Sequence, residues 1–127
     1  MMLTITKNIV INESDIDDIM CTALEGGITY WCNGALSIET VEWANEHGVH
    51  WLHETISRGG DIVLSTDEGD YILTLKAFLT GLQKYLNEFN ESLIPCDCGY
   101  KIDTCDIDAY GADLIIQYAL FGDLVYC

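Results

Sequence analysis

A chain of 127 residues with 21 acidic and 5 basic side chains carries a formal charge of -16, which repels nucleic acid and anionic membrane and attracts positively charged protein surfaces. Half of the residues are apolar and only Pro95 is a proline, so low-hydrophobicity disorder is excluded and one domain with a buried core is expected. No run approaches the roughly 18 to 20 apolar residues that cross a bilayer, and Met1 to Ile11 lacks the pattern of a secretory leader, which makes the cytosol the expected location.

Taken in chain order, Leu3 to Ile11 is apolar and β-branched and predicts a first strand. Ser14 follows as a helix N-cap, with Asp17 at the capping-box position and Asp15 and Asp18 favoured by the helix dipole. The helix buries Ile16, Ile19, Met20, Ala23 and Leu24, turns its acids outward and ends at Gly26-Gly27. Ile28 to Cys32 predicts a short strand. Ser37 to Arg58 predicts a helix broken at Gly48 and stopped by Gly59-Gly60.

Asp61 to Ser65 and Tyr71 to Leu73 flank the turn Asp67-Glu68-Gly69-Asp70, the pattern of a hairpin. Thr74 caps a helix from Leu75 to Phe89, whose apolar residues recur every three to four positions and belong to the core. Asn90 to Lys101 predicts a loop, Ala109 to Leu120 a final helix ended by Gly122, and Leu124 to Tyr126 an edge strand. The sum is a single α+β domain over residues 1–127, a small antiparallel sheet covered by three or four helices.

In a reducing compartment the six cysteines are thiols or metal ligands. Cys96, Cys98 and Cys105 fall within ten residues and supply sulfur ligands of the kind zinc prefers, with Cys127, Cys32, a histidine or Asp97 as the fourth. Cys127 completes the expected structural zinc set. His47, His50, His53 and Glu54 lack the His-Glu-x-x-His pattern of a metalloprotease and predict a surface histidine cluster. Asp103, Asp106 and Asp108 do not match the twelve-residue calcium loop. There is no nucleophile elbow and no phosphate loop, so no catalysis is expected; Arg58 beside Gly59-Gly60 offers only a small anion or nucleotide site.

The segments Thr22-Ala23-Leu24-Glu25-Gly26-Gly27-Ile28-Thr29-Tyr30-Trp31, Ser57-Arg58-Gly59-Gly60 and Ala112-Asp113 through Gln117-Tyr118-Ala119-Leu120-Phe121-Gly122 resemble a family of small phage and prophage proteins. Size, charge and that class together resemble an anti-CRISPR inhibitor of a type II RNA-guided DNA nuclease. The resemblance implies a non-catalytic monomer in the host bacterial cytosol that blocks target-DNA binding through a basic nuclease surface, with no direct nucleic-acid contact. The expected contact residues are the acidic groups Asp15, Asp17, Asp18 and Asp67, Glu68, Asp70. The alternative is a counter-defence protein that sequesters a nucleotide immune signal at Arg58 and the glycine pair.

Overall fold

The computed structural model describes residues 1–127. The longest uninterrupted buried stretch is Gly111 to Tyr118, within helix α4 (Ala109–Phe121). A helix that is apolar on nearly every side has to be enclosed by the rest of the chain. Accordingly α4 is the centre of the fold. Helix α3 (Leu75–Glu88) lies along it, burying Phe78, Leu82, Tyr85 and Leu86. Helix α1 (Glu13–Thr22) contributes Ile16, Ile19 and Met20 to the same core.

The two long helices approach to backbone contact at Gly81, where an added Cβ would sit 2.5 Å from the carbonyl oxygen of Ile115 and 2.6 Å from the amide nitrogen of Ala119. Only a residue without a side chain fits there. Thr74 caps α3 by accepting from the Ala77 amide at 3.1 Å, as its position predicts. Gly122 closes α4 in the left-handed conformation, φ 72°.

The structure is α+β, with its strands in two small sheets. β2 (Ile62–Thr66) and β3 (Gly69–Leu73) form the expected antiparallel hairpin. The predicted loop at 90–101 instead contains a second hairpin, β4 (Leu93–Cys96) and β5 (Gly99–Ile102), turning at Asp97-Cys98. Its glycine at φ 122°, Gly99, follows the turn and meets the carbonyl of Asn8, where no side chain fits. β1 is only Ile9–Val10, parallel to β5; Met1 to Lys7 form no strand because they have no pairing partner.

Other boundaries differ for local reasons. The N-cap of α1 is Asn12, not Ser14: its side chain accepts from the Asp15 amide at 2.9 Å while the Asp15 carboxylate accepts from the Asn12 amide at 3.1 Å. Asn12 thus starts the helix two residues early, and the box partner is Asp15 in place of Asp17. The predicted strand at 28–32 is absent, since α1 continues as a π-helical turn over Ala23–Gly27 and the chain then folds back with the Cys32 amide donating to the Ile28 carbonyl at 2.8 Å. The broken helix at 37–58 is α2 (Ile38–His47), capped by Ser37 and ended by Gly48 at φ 68°, followed by a short 3-10 turn at Leu52–Glu54. No helix is long and apolar enough to cross a membrane.

Candidate functional site

Two residues one turn apart on the buried face of α4, Asp113 and Gln117, organise the most polar part of the interior. Asp113 is 4% exposed and Gln117 fully buried. The Asp113 carboxylate accepts from Tyr30 Oη at 2.6 Å, Trp31 Nε1 at 2.7 Å and Gln117 Nε2 at 2.9 Å. All three donors are neutral. A buried carboxylate without a cation survives when hydrogen bonds replace its lost hydration. The donors Tyr30 and Trp31 reach it because the chain turns back after Gly27, where an added Cβ would meet the Ala109 carbonyl oxygen at 2.7 Å.

Gln117 also holds the end of the chain. Its Oε1 accepts from the amides of Val125 and Tyr126, both at 2.8 Å, and its Nε2 donates to the Tyr126 carbonyl at 3.1 Å. One side-chain amide therefore takes the role of a neighbouring strand, which is why the predicted strand Leu124 to Tyr126 does not form. The Tyr126 ring stacks on Trp31 with centroids 5.0 Å apart. A groove of about 500 Å³ runs beside this clamp between Gly26-Gly27, Tyr110 and Leu124-Val125. Although Tyr30 as a residue is 55% exposed, desolvation of its hydroxyl, and then the bond to Asp113, push it up to about 12. Tyr30 is therefore held as a phenol, a donor to Asp113 rather than a base.

The acidic surface is scarcely neutralised from within. The ion pairs are Arg58 with Glu13 at 3.6 Å and with Glu54 at 3.8 Å, and no other side chain forms one. Lys7 and Lys84 lie over the rings of Tyr100 and Tyr118. Between Asn8 and Ser57 there is no lysine or arginine at all. The acids expected to meet a partner are divided between two elements. On α1, Asp15 is used in the helix cap, Asp17 accepts from Ser57 Oγ at 2.6 Å and Asp18 from Thr104 Oγ1 at 2.9 Å. At the β2–β3 turn, Asp67 accepts from Asn33 Nδ2 at 2.8 Å, while Glu68 and Asp70 are exposed and hydrogen-bond through their side chains to nothing. Part of the acidity thus braces the fold: Asp103 and Asp108 likewise cap the 3-10 turn at Thr104–Asp106 and α4.

All six cysteines are free thiols. Cys96 ends β4, Cys98 lies in the turn before β5, Cys105 sits in the 3-10 turn, and Cys127 lines the groove beside Tyr126. No three His, Cys, Asp or Glu side chains are gathered so as to hold a metal ion. The histidines have different neighbours: His47 stacks on Trp43 with centroids 4.2 Å apart, His53 stacks on Trp51, and His50 lies between Gly48 and Trp51, outside any helix or strand. Next to Gly59-Gly60 is a cleft of about 550 Å³ over Trp43 whose charged lining is Glu39, Asp61 and Asp70.

Asp113 and Gln117 were reachable from the sequence only as polar residues spaced i, i+4 in an otherwise apolar helix; nothing local names Tyr30, Trp31 or Tyr126 as their partners. No family model, curated protein or solved structure matches the chain.

Proposed function

We propose that the protein is a non-catalytic acidic binder that covers a basic surface of a type II RNA-guided DNA nuclease and so blocks target-DNA binding in the host bacterial cytosol. The observation that carries the reading is the charge left over after folding: 21 acidic side chains, with ion pairs made only by Arg58. Such an excess costs stability through self-repulsion, and a basic partner relieves it. RNA-guided nucleases hold guide and target in positively charged channels, so an acidic domain competes with phosphate for the same surface. The choice of a type II nuclease as the target rests on an analogy of size and charge with small phage-encoded inhibitors.

Binding to a nuclease loaded with guide RNA is expected to weaken as salt rises from about 0.1 M to about 0.5 M, which shortens the screening length from ~10 Å to under about 5 Å. Replacing Asp67, Glu68 and Asp70 by their amides is expected to slow association more than it speeds dissociation. Inhibition of cleavage should saturate near one inhibitor per nuclease. Salt-independent affinity would refute the electrostatic contact, and sub-stoichiometric inactivation that grows with time would show an enzyme.

The nucleotide-signal alternative is weaker on charge. A phosphate entering the cleft at Gly59-Gly60 meets Glu39, Asp61 and Asp70, while Arg58 is engaged by Glu13 and Glu54. Zinc on Cys96, Cys98, Cys105 and Cys127 is a separate proposal, and binding would have to draw Cys105 and Cys127 toward the β4–β5 turn. Protein purified without chelator is then expected to carry about one zinc per chain, lost in Cys96→Ser and Cys98→Ser. Zinc-free protein with six titratable thiols removes the metal from the reading.

A further inference from the structure

Helix α2 leaves two of its apolar side chains, Ile38 and Val41, exposed, while Trp43 and Ala44 are half-buried. Its buried residue is Thr40, whereas Ile38 is 75% exposed and Val41, one turn on, is also exposed. A helix that serves only the core turns its apolar stripe inward. Leu36 just before the helix and Trp51 just after it, 65% exposed, extend the same apolar area. Leu36, Val41 and Trp51 rim a cleft of about 150 Å³ that reaches inward to Thr55. The Thr55 hydroxyl is buried there without a hydrogen-bond partner, its methyl being turned to Gly60. No other helix or strand packs extensively on α2.

Charge selects what covers this face. Glu39, Glu42 and Glu46, spaced i, i+3, i+7, form a line along α2 beside the stripe of Ile38 and Val41. The 50 residues from Asn8 to Ser57 contain no lysine or arginine to offset them. Phosphate is repelled from such a face, and a second copy would bring a further acidic line to it. Complementarity requires an occupant with an apolar anchor for the cleft and cations for the glutamates.

We propose that α2 with the Leu36–Trp51 cleft is the docking face for a basic amphipathic helix of a partner protein. This rests on the acidic-binder reading and adds to it a face distinct from the acids of α1 and the β2–β3 turn. The cleft takes an aliphatic side chain of that helix, and its flanking lysines or arginines lie along Glu39, Glu42 and Glu46.

The test uses the full chain and a synthetic amphipathic peptide of leucine and lysine at helical spacing. Peptide addition is expected to shift the amide resonances of α2 and to move Trp51 fluorescence to the blue. The double variant Ile38→Ser, Val41→Ser is expected to bind at least tenfold more weakly with only a small drop in melting temperature, since Ile38 is 75% exposed and Val41, 39% exposed, is only partly covered in the free protein. The Glu39→Gln, Glu42→Gln, Glu46→Gln variant should also bind more weakly and lose most of the salt dependence. Salt-sensitive binding at full affinity in the Ser variant, with shifts on α1 or the β2–β3 turn, overturns the α2 face but leaves the acidic-binder reading standing. Failure of this peptide and of polylysine to bind at all overturns both. A concentration-dependent dimer abolished by the Ser variant, or blue-shifted Trp51 on anionic phosphatidylglycerol vesicles, assigns the face to another occupant and overturns the proposal.

Discussion

Gly81→Val is expected to destabilise the protein by about 3 kcal/mol or more, a large part of the ~5 to 15 kcal/mol that holds a typical domain together. The Cβ would meet backbone atoms of Ile115 and Ala119, which cannot yield as a flexible side chain would. Either α3 and α4 separate along the core or the valine strains both. In thermal denaturation this corresponds to a melting temperature lower by about 10 °C or more. Gly26, also helical but with nothing near its Cβ position, is the control: Gly26→Ala should be close to neutral. A Gly81→Val protein that melts like the parent would refute the close crossing of α3 and α4.

Asp113→Ala is expected to cost about 3 kcal/mol, because it leaves the indole N–H of buried Trp31 without its acceptor and removes one acceptor of the buried Gln117 amide, which keeps the Tyr126 carbonyl. The loss should be visible locally as well. Gln117 positions Val125 and Tyr126, so their amides should exchange faster with solvent in the variant, while those of α3 keep their protection relative to global unfolding. Asp113→Asn should cost less, since one acceptor oxygen remains.

The same pair makes an alkaline prediction. Tyr30 is raised from an ordinary 10.0 to about 12 by desolvation of its hydroxyl and by its hydrogen bond to Asp113. The uncharged phenol is the form the fold favours, so its contribution is full below pH 10 and is lost as pH rises through about 12, the unfolded chain deprotonating first. In an ultraviolet titration Tyr30 should ionise late, and in Asp113→Asn it should ionise earlier. An unchanged titration in that variant would show that the hydroxyl does not depend on Asp113.

Periodicity and punctuation revealed the helices well. The Thr74 cap, the apolar rhythm of Phe78, Leu82 and Tyr85 and the closing Gly122 are local signals, and each lies within a residue or two of its structural counterpart. The short strands depended on partners far away. Ile28 to Cys32 has the β-branched and aromatic content of a strand, yet Trp31 is drawn to Asp113, 82 positions on. The β4–β5 hairpin was hidden because its Cys-Asp-Cys-Gly turn reads as loop chemistry, and pairing across it is a tertiary matter. The acids of α1 and the β2–β3 turn were legible as charge, but not their division between internal bracing and open surface. Exposure of Ile38 and Val41 was not legible either: a helical apolar stripe looks the same whether it faces the core or solvent.

The enclosure of α4 bears on how the protein is made. Ribosomes release a chain from its N-terminus, so α1, the β2–β3 hairpin and α3 all emerge before the helix around which they close. Until residues 109–121 follow, Ile16, Phe78 and Leu82 have no finished interior to enter, and the nascent polypeptide displays them to its surroundings. Its many carboxylates then keep neighbouring unfinished chains apart by mutual repulsion. During synthesis the negative charge therefore guards against aggregation, before there is a folded surface for any partner to meet.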